Sequence, residues 1–418
     1  METVSWRRHL EQDVLPWWQG RALDDEVGGV FTCFDNDGVL LSQEKYTWSQ
    51  GRWAWLCAEL AEEARAGRLD VDAEAWAARA TGTARFLAAH VPVGEGRTAF
   101  RTDRHGRRLT GPDGEVAASV FADLFAALGL GAAARVDPSA PPEWVRLATT
   151  ILTTAETAIL DRTALTAPYP VPPGFRDLAG PMNLLHTAAE LLRARDAGAA
   201  AAPADWERVT AVRDRALASL HEEFLDRATW FEFRPERAGL DEAMLARHRT
   251  PGHLLEALWM LVHAEQQAGL VPDTARYLAL ARTALAIGWD AEEGGVLRYT
   301  DRDGGPPRGD LLGPEPTPYE ALVAGTWDTK LWWVHAEALY ATALLASLTG
   351  DTDMAAWAER VAGYTMDTFP DAVNGEWLQI RERSGAPLNA VVALPVKDPF
   401  HVIRALIFLN RTTPQGAS

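Results

Sequence analysis

Two segments, TPGHLLEAL at 250–258 and KDPFHVIRAL at 397–406, set similar residues in the same order at what read as helix starts. In each, a capping residue (Thr250, Asp398) precedes a proline, and a histidine follows two residues later. Proline suits the first helical position because its missing N–H would find no partner there. Thr and Asp side chains can accept from the free amides of the first turn. His253 and His401 therefore fall in first turns, each with a charge one turn deeper, Glu256 and Arg404. A weaker echo, GPMNLLHTA at 180–188, puts Asn183 and His186 in the two polar slots. Asn183 and His253 are 70 residues apart and His253 and His401 are 148 apart. One sixth of the chain is roughly 70 residues, so these spacings are about one and two repeat units.

Helical periodicity supports the repeat. About twelve helical segments lie near 4–19, 43–66, 72–91, 115–134, 142–165, 179–198, 203–226, 251–269, 272–288, 320–349, 352–369 and 399–411. Strand-like pieces are short and sit between them: GGVFTCFDNDG at 28–38, GGVLRYTDRDG at 294–304 and, more loosely, NGEWLQIRERSG at 374–385. Asp24 and Asp290 stand four residues before the first glycine of the two closest copies. Twelve helices as six hairpins closed in a ring give an all-α (α/α)6 barrel, with short β-hairpins in its loops. The stretch LLEALWMLV is apolar nearly all round, as an inner helix packed on both sides should be. The rim where inner helices begin would then gather their first-turn polar residues into one cavity. The Pro/Gly-rich stretches are short enough to be loops, so one domain over 1–418 is expected, with an ordered core at about 5–412.

A net charge of -18 argues against nucleic acid or an anionic membrane as partner. The two cysteines, Cys33 and Cys57, build neither a disulfide framework nor a metal quartet, which suits a reducing cytoplasm. No apolar run is long enough to span a membrane. Seventeen tryptophans fill a core, and their flat faces also suit the C–H faces of pyranose rings. Of 40 basic residues only Lys45, Lys330 and Lys397 are lysines, each beside an aromatic-rich motif.

A first-turn histidine sits beside unbonded N–H groups and the positive helix end, which disfavours imidazolium and lowers the pKa. Such a side chain stays neutral near pH 7 and can accept a proton. Two of them facing one pocket make an acid/base pair. A lone first-turn histidine is more often a cap or a satisfied core residue; the duplication shifts the balance toward chemistry. A metal reading of His253 with Glu256 lacks a completing cluster.

Taken in order, GGVFTCFDNDG, KYTWSQGR, RHRTPGHLLEA, GWDAEEGG, KLWWVHAEA and KDPFHVIRAL resemble the N-acylglucosamine 2-epimerase family over about residues 5–410. That family includes renin-binding protein and is related to the cellobiose 2-epimerases and mannose isomerases. The resemblance implies an (α/α)6 barrel that interconverts sugars at C2 without a cofactor. It places the two catalytic histidines on His253 and His401. The arginine of the Gln-Gly-Arg motif falls on Arg52, the glutamate after the Trp-Trp pair on Glu337, and the arginine after the second histidine on Arg404. Glu256 matches the acid of the Pro-Gly-His motif. Asn183, Trp332, Lys330, Arg247 and His248 are the other residues expected to bind substrate.

Departures are visible. Where N-acylglucosamine epimerases show Pro-Met-Met this chain has PMN, which puts Asn183 on the pocket wall. The histidine that follows the asparagine of disaccharide epimerases falls on Thr187, and their tryptophan ahead of the second histidine falls on Val396. The common Val-Pro-Arg is VIR.

Physically, one histidine would take the C2 proton of an open-chain aldose and the other would return a proton to the opposite face through an enediolate. Arg52 or Arg404 would stabilise the developing charge. Were one histidine to carry the proton from C2 to C1, the enzyme would be an aldose–ketose isomerase. An (α/α)6 glycoside hydrolase using Glu256 and Glu337, or a non-catalytic binding protein, would leave the histidines without a role. The expected partner is a small sugar, and homodimerisation stays open.

Overall fold

The computed structural model describes residues 5–111, 114–390, 395 and 397–412. Six helices pack side by side in sequence order: Thr47–Arg65, Val120–Val136, Ala179–Asp196, Pro251–Gln267, Trp332–Thr349 and Phe400–Thr412. The last also packs on the first, so the ring closes. Outside it, Ala73–His90, Pro142–Leu160, Pro203–Ser219, Thr274–Gly288 and Thr352–Thr368 each lie against the inner helix just before them. The sixth outer position is filled from the N-terminus, by Trp6–His9, a π-helical turn Leu10–Val14 and Leu15–Arg21, of which the first two pack on Phe400–Thr412. This is an (α/α)6 toroid.

Sequence explains which helices go inside. Val120–Val136 is apolar nearly throughout and buried at every position. Thr352–Thr368 buries only Met354, Val361 and Thr365 and turns charge outward, as a one-sided helix must. Gly51 lets two inner helices touch: a Cβ there would stand 1.9 Å from the Phe125 carbonyl oxygen. The glycine of the Gln-Gly-Arg motif therefore fixes the helix crossing that carries Arg52 beside it.

Short strands anchor the rim. Lys45–Tyr46, Phe175–Asp177, His248–Arg249 and Lys330–Leu331 run directly into inner helices, and each pairs antiparallel with a strand from another loop. The 294–304 and 374–385 pieces supply two of those partners, Thr300–Asp301 and Ile380–Arg381, whereas 28–38 pairs locally, Cys33–Phe34 with Leu40–Ser42. The helix expected over 320–349 is two, Pro318–Thr326 and Trp332–Thr349, because the Lys330–Leu331 strand interrupts it.

The three lysines serve a repeated clasp. Lys45 Nζ donates to Asp24 at 2.8 Å and to the Gly28 carbonyl, while Arg104 bonds both Asp24 oxygens. Lys330 repeats this with Asp290 and the Gly294 carbonyl, and Arg383 takes the place of Arg104. In the third copy Lys397 pairs with Glu376 at 2.7 Å and with the Trp377 carbonyl. The tight turn is the same in all three, with Asp24, Asp290 and Asp371 N–H groups donating to the carbonyls of Gly29, Gly295 and Glu376. Glu376 adopts φ 63 where the other copies have glycine, a conformation that costs a side-chain-bearing residue about 1 kcal/mol or more.

Candidate active site

A cavity of about 670 Å³ opens at the rim where the inner helices begin. His253, His401, Arg52, Asn183, Glu256 and Trp332 all line it, joined by Trp333, Asp398, Glu232, Asp177 and a wall of Tyr169, Tyr299 and Tyr319. Pro251 and Pro399 stand at the starts of the helices whose first turns carry His253 and His401, and Arg52, Asn183 and Glu256 follow about one turn into theirs.

His401 is the more enclosed histidine, its side chain 7% exposed. Its Nδ1 lies 2.5 Å from Glu337 Oε1, and Nε2 lies 3.4 Å from Asp398 Oδ2. Glu337 is fully buried and already answered, by the Arg404 guanidinium and by Trp259 Nε1 at 2.7 Å. Burial, with Arg52 and His253 nearby, holds His401 well below the usual imidazole range. Glu337 does not reverse this, because Arg404 neutralises it. Donation from Nδ1 to Glu337 would leave Nε2 as the basic nitrogen.

His253 has the opposite affinity. Its Nδ1 meets Glu232 Oε1 at 2.6 Å, and its side chain is 26% exposed. No cation other than His253 bonds Glu232 among the described residues, and Glu232 Oε2 is buried without a partner. Burial lowers the His253 pKa, but the Glu232 charge and hydrogen bond, with Glu256 and Asp177 behind them, raise it above the usual value. The expectation that both first-turn histidines would be depressed therefore fails for His253. Helix-end effects amount to about 0.3–1 kcal/mol, less than a charge-assisted hydrogen bond of about 1.5–3 kcal/mol.

Trp333 bridges the pair, its ring 4.9 Å from that of His253 and 5.8 Å from that of His401. Arg52 reaches the cavity over Phe125 at 4.2 Å and Phe400 at 4.6 Å, tied to Asp398 Oδ2 at 3.3 Å. Asn183 Nδ2 donates to the Ala179 carbonyl at 2.9 Å, which leaves Oδ1 unused by that bond.

Other expected residues sit elsewhere. Glu337 and Arg404 lie beneath the lining. Lys330 is wholly buried in its clasp. Arg247 is bound to Asp301, Asp303 and Glu242, and His248 gives Nδ1 to the Leu245 carbonyl at 2.7 Å; both brace the loop behind the tyrosine wall. His186 is wedged between Trp55 and Trp259, where burial lowers its pKa to about 4. Thr187 is buried against the Leu124 carbonyl, and Val396 lies outside the described residues.

Sequence reasoning took Asp398 for a cap alone; it does accept from the Phe400 N–H at 2.9 Å, yet it also faces Arg52 and His401. Glu232 and Asp177 were not singled out, since neither stands in a motif with a spacing signal. Burial beside Glu232 raises the Asp177 pKa to about 6. Glu256, Glu337 and His401 bring ligand atoms within 4.8 Å of one another, a possible cation nest. Arg404 already bonds both carboxylates, so a guanidinium supplies the positive charge there.

The sequence model of the family described as N-acylglucosamine 2-epimerase (GlcNAc 2-epimerase) matches residues 28–405. N-acylglucosamine 2-epimerase of Bos taurus is 29% identical over 99% of this chain and 94% of that protein. The Homo sapiens protein of the same name is 28% identical over 96% and 88%. Among solved structures, the cellobiose 2-epimerase from Bacillus thermoamylovorans B4167 superposes with a TM-score of 0.71 at 18% identity, over 97% of this chain and 98% of that one. A D-mannose isomerase superposes at 0.72 with 16% identity, over 98% and 97%.

Proposed function

Because this chain belongs to the N-acylglucosamine 2-epimerase family, we propose that its cavity inverts C2 of a free reducing sugar of the hexose or N-acylhexosamine type. The observation that carries the reading is a pair of histidines on separate inner helices, in one cavity, with opposed proton affinities. His401 is the readier acceptor of a proton and His253 the readier donor, which is what a two-sided transfer at a single carbon needs.

In the proposed reaction an open-chain aldose lies with C2 between His401 and His253. Neutral His401 Nε2 removes the C2 proton, and the electron pair moves into a C1–C2 enediolate. Arg52, which lines the cavity and is tied to the Asp398 that faces His401, would carry the oxygen charge, since Arg404 is committed to Glu337 and Glu256. Imidazolium His253 then protonates C2 from the other face. The reverse direction uses the same residues with the proton exchanged between them. Asn183 Oδ1 would accept from a substrate hydroxyl near C2 or C3, and the PMN sequence at that point distinguishes this cavity from one with methionine there.

Turnover of glucose, mannose, GlcNAc and ManNAc in D2O, followed by NMR, tests the proposal. Deuterium should enter C2 of the epimeric product. Product without solvent deuterium at C2 would refute the two-histidine transfer, and a ketose labelled at C1 would make the enzyme an isomerase that uses one histidine.

A further inference from the structure

The cationic groups of the cavity pair off except one. Arg52 has Asp398, Lys397 has Glu376, and His253 has Glu232. Arg298 also lines the cavity, only 5% exposed, and among the described residues no carboxylate bonds it. Its Nη1 donates to Thr326 Oγ1 at 3.0 Å, the Tyr299 hydroxyl is also within its reach, and its Nε is buried without a hydrogen-bond partner among the described residues. Its guanidinium lies 4.9 Å from the Tyr299 ring.

Two other buried arginines without a carboxylate partner lie on backbone carbonyls instead. Arg249 gives Nη1 to three backbone carbonyls, those of Ala246, Arg247 and His248, and does not line the cavity. Arg381 likewise lies on the Gly385 and Phe369 carbonyls, away from the cavity. Arg298 has no such backbone nest. It is also held in place: Tyr299 N–H bonds the Trp327 carbonyl, and the Thr300–Asp301 strand that follows is paired with His248–Arg249. A guanidinium removed from water without an anion is costly, and its planar fork of donors matches a carboxylate, sulfonate or phosphate.

We infer that Arg298 forms an anion subsite, so that the sugar taken by this cavity carries an anionic substituent away from the reacting C1–C2 end. The anion would accept from the cavity-facing Nη donors of Arg298 while the tyrosine wall covers the sugar's apolar face. Arg298 makes no hydrogen bond to either histidine, so this binding and the proton transfer can be separated by experiment. The inference rests on the reading of the site as one for a reducing sugar.

The test uses unreactive ring analogues on the full chain: 1,5-anhydroglucitol, its 6-phosphate, its 6-sulfonate and the corresponding uronate, with affinities measured by calorimetry. At least one anionic analogue should bind about tenfold or more tightly than the neutral parent, the scale of a charge-assisted contact. Arg298→Gln should bring that ratio close to one, and Arg298→Lys should restore part of it, with helical circular dichroism confirming that both variants fold. Comparison of the three anions identifies which group is preferred. Equal binding of neutral and anionic analogues by the wild type, or a ratio untouched in Arg298→Gln, overturns the inference. If anionic preference tracks Arg298 while no sugar exchanges hydrogen at C2, the subsite stands and the proposed reaction falls.

Discussion

His253 and His401 occupy the first turn of two inner helices, each behind a proline, and each presents Nδ1 to a buried glutamate, at 2.6 Å and 2.5 Å. What differs is the next layer. Glu337 is bonded by Arg404 and Trp259, so it orients His401 without imposing a full negative charge. Glu232 has His253 as its cation and one oxygen left over. One imidazole is pushed down and the other up. Position in the helix sets direction and reach, while proton affinity is set by whether the partner carboxylate has a second cation.

That contrast is most severely tested at Glu337. Replacing it by Gln leaves Arg404 with less compensation and deprives His401 of its strongest acceptor. Epimerisation should fall about 10²–10⁴-fold, the range for a disabled acid–base group, and the melting temperature should drop as well. Activity within threefold of wild type would mean that the Glu337 contact does not govern His401.

A smaller effect is expected at Glu232. The active form holds one proton between the two histidines, so kcat/KM should be bell-shaped. Activity is lost at low pH as His401 gains a proton, below the usual imidazole value, and at high pH as His253 loses one, above it. Glu232→Gln should move the alkaline limb to lower pH and leave the acid limb in place, with a loss of about tenfold on the alkaline side, the scale of a lost charge-assisted hydrogen bond. An alkaline limb that stays put would assign it to another group. The difference between the histidines can also be seen directly, as two imidazole titrations by NMR that straddle pH 6.5 and draw together in Glu232→Gln.

Trp333→Leu should do least. The ring touches both imidazoles and aromatic contacts are worth about 0.5–1.5 kcal/mol, so a loss of roughly threefold to tenfold in kcat is expected, with both pH limbs unmoved. A shifted limb would show that Trp333 sets proton affinity and not only ring placement.

Much of this layout could be read from residues. Pro-x-His at two helix starts, spaced by about two repeat units, located both histidines and the rim, and the apolar run after His253 marked an inner helix. The counter-charges were less visible. Glu232 comes from the loop after Pro203–Ser219, where nothing in local spacing announces that its side chain meets a histidine 21 residues on. Arg298 sits in a piece whose repeat signal is carried by its glycines. Arg404, which the resemblance places in the site, stands one turn of helix beyond His401, and that is enough to take it under the lining. The lysines stand out in the sequence by rarity alone; their clasping of loops depends on contacts with Asp24, Asp290 and Glu376 that lie far from them in sequence.

The ring is closed by its two extremes, and that has a kinetic meaning. Trp377 Nε1 donates to His9 Nε2 across 368 residues, and Arg411 reaches Glu59 across 352. Five inner helices can assemble as an open arc while the chain is still being made, but the inner helix bearing His401 follows them all and docks against the first inner helix, Thr47–Arg65. Contacts of such sequence separation form late. Helix content should therefore return early in refolding from denaturant, while catalytic power waits for the final docking event and reappears all at once.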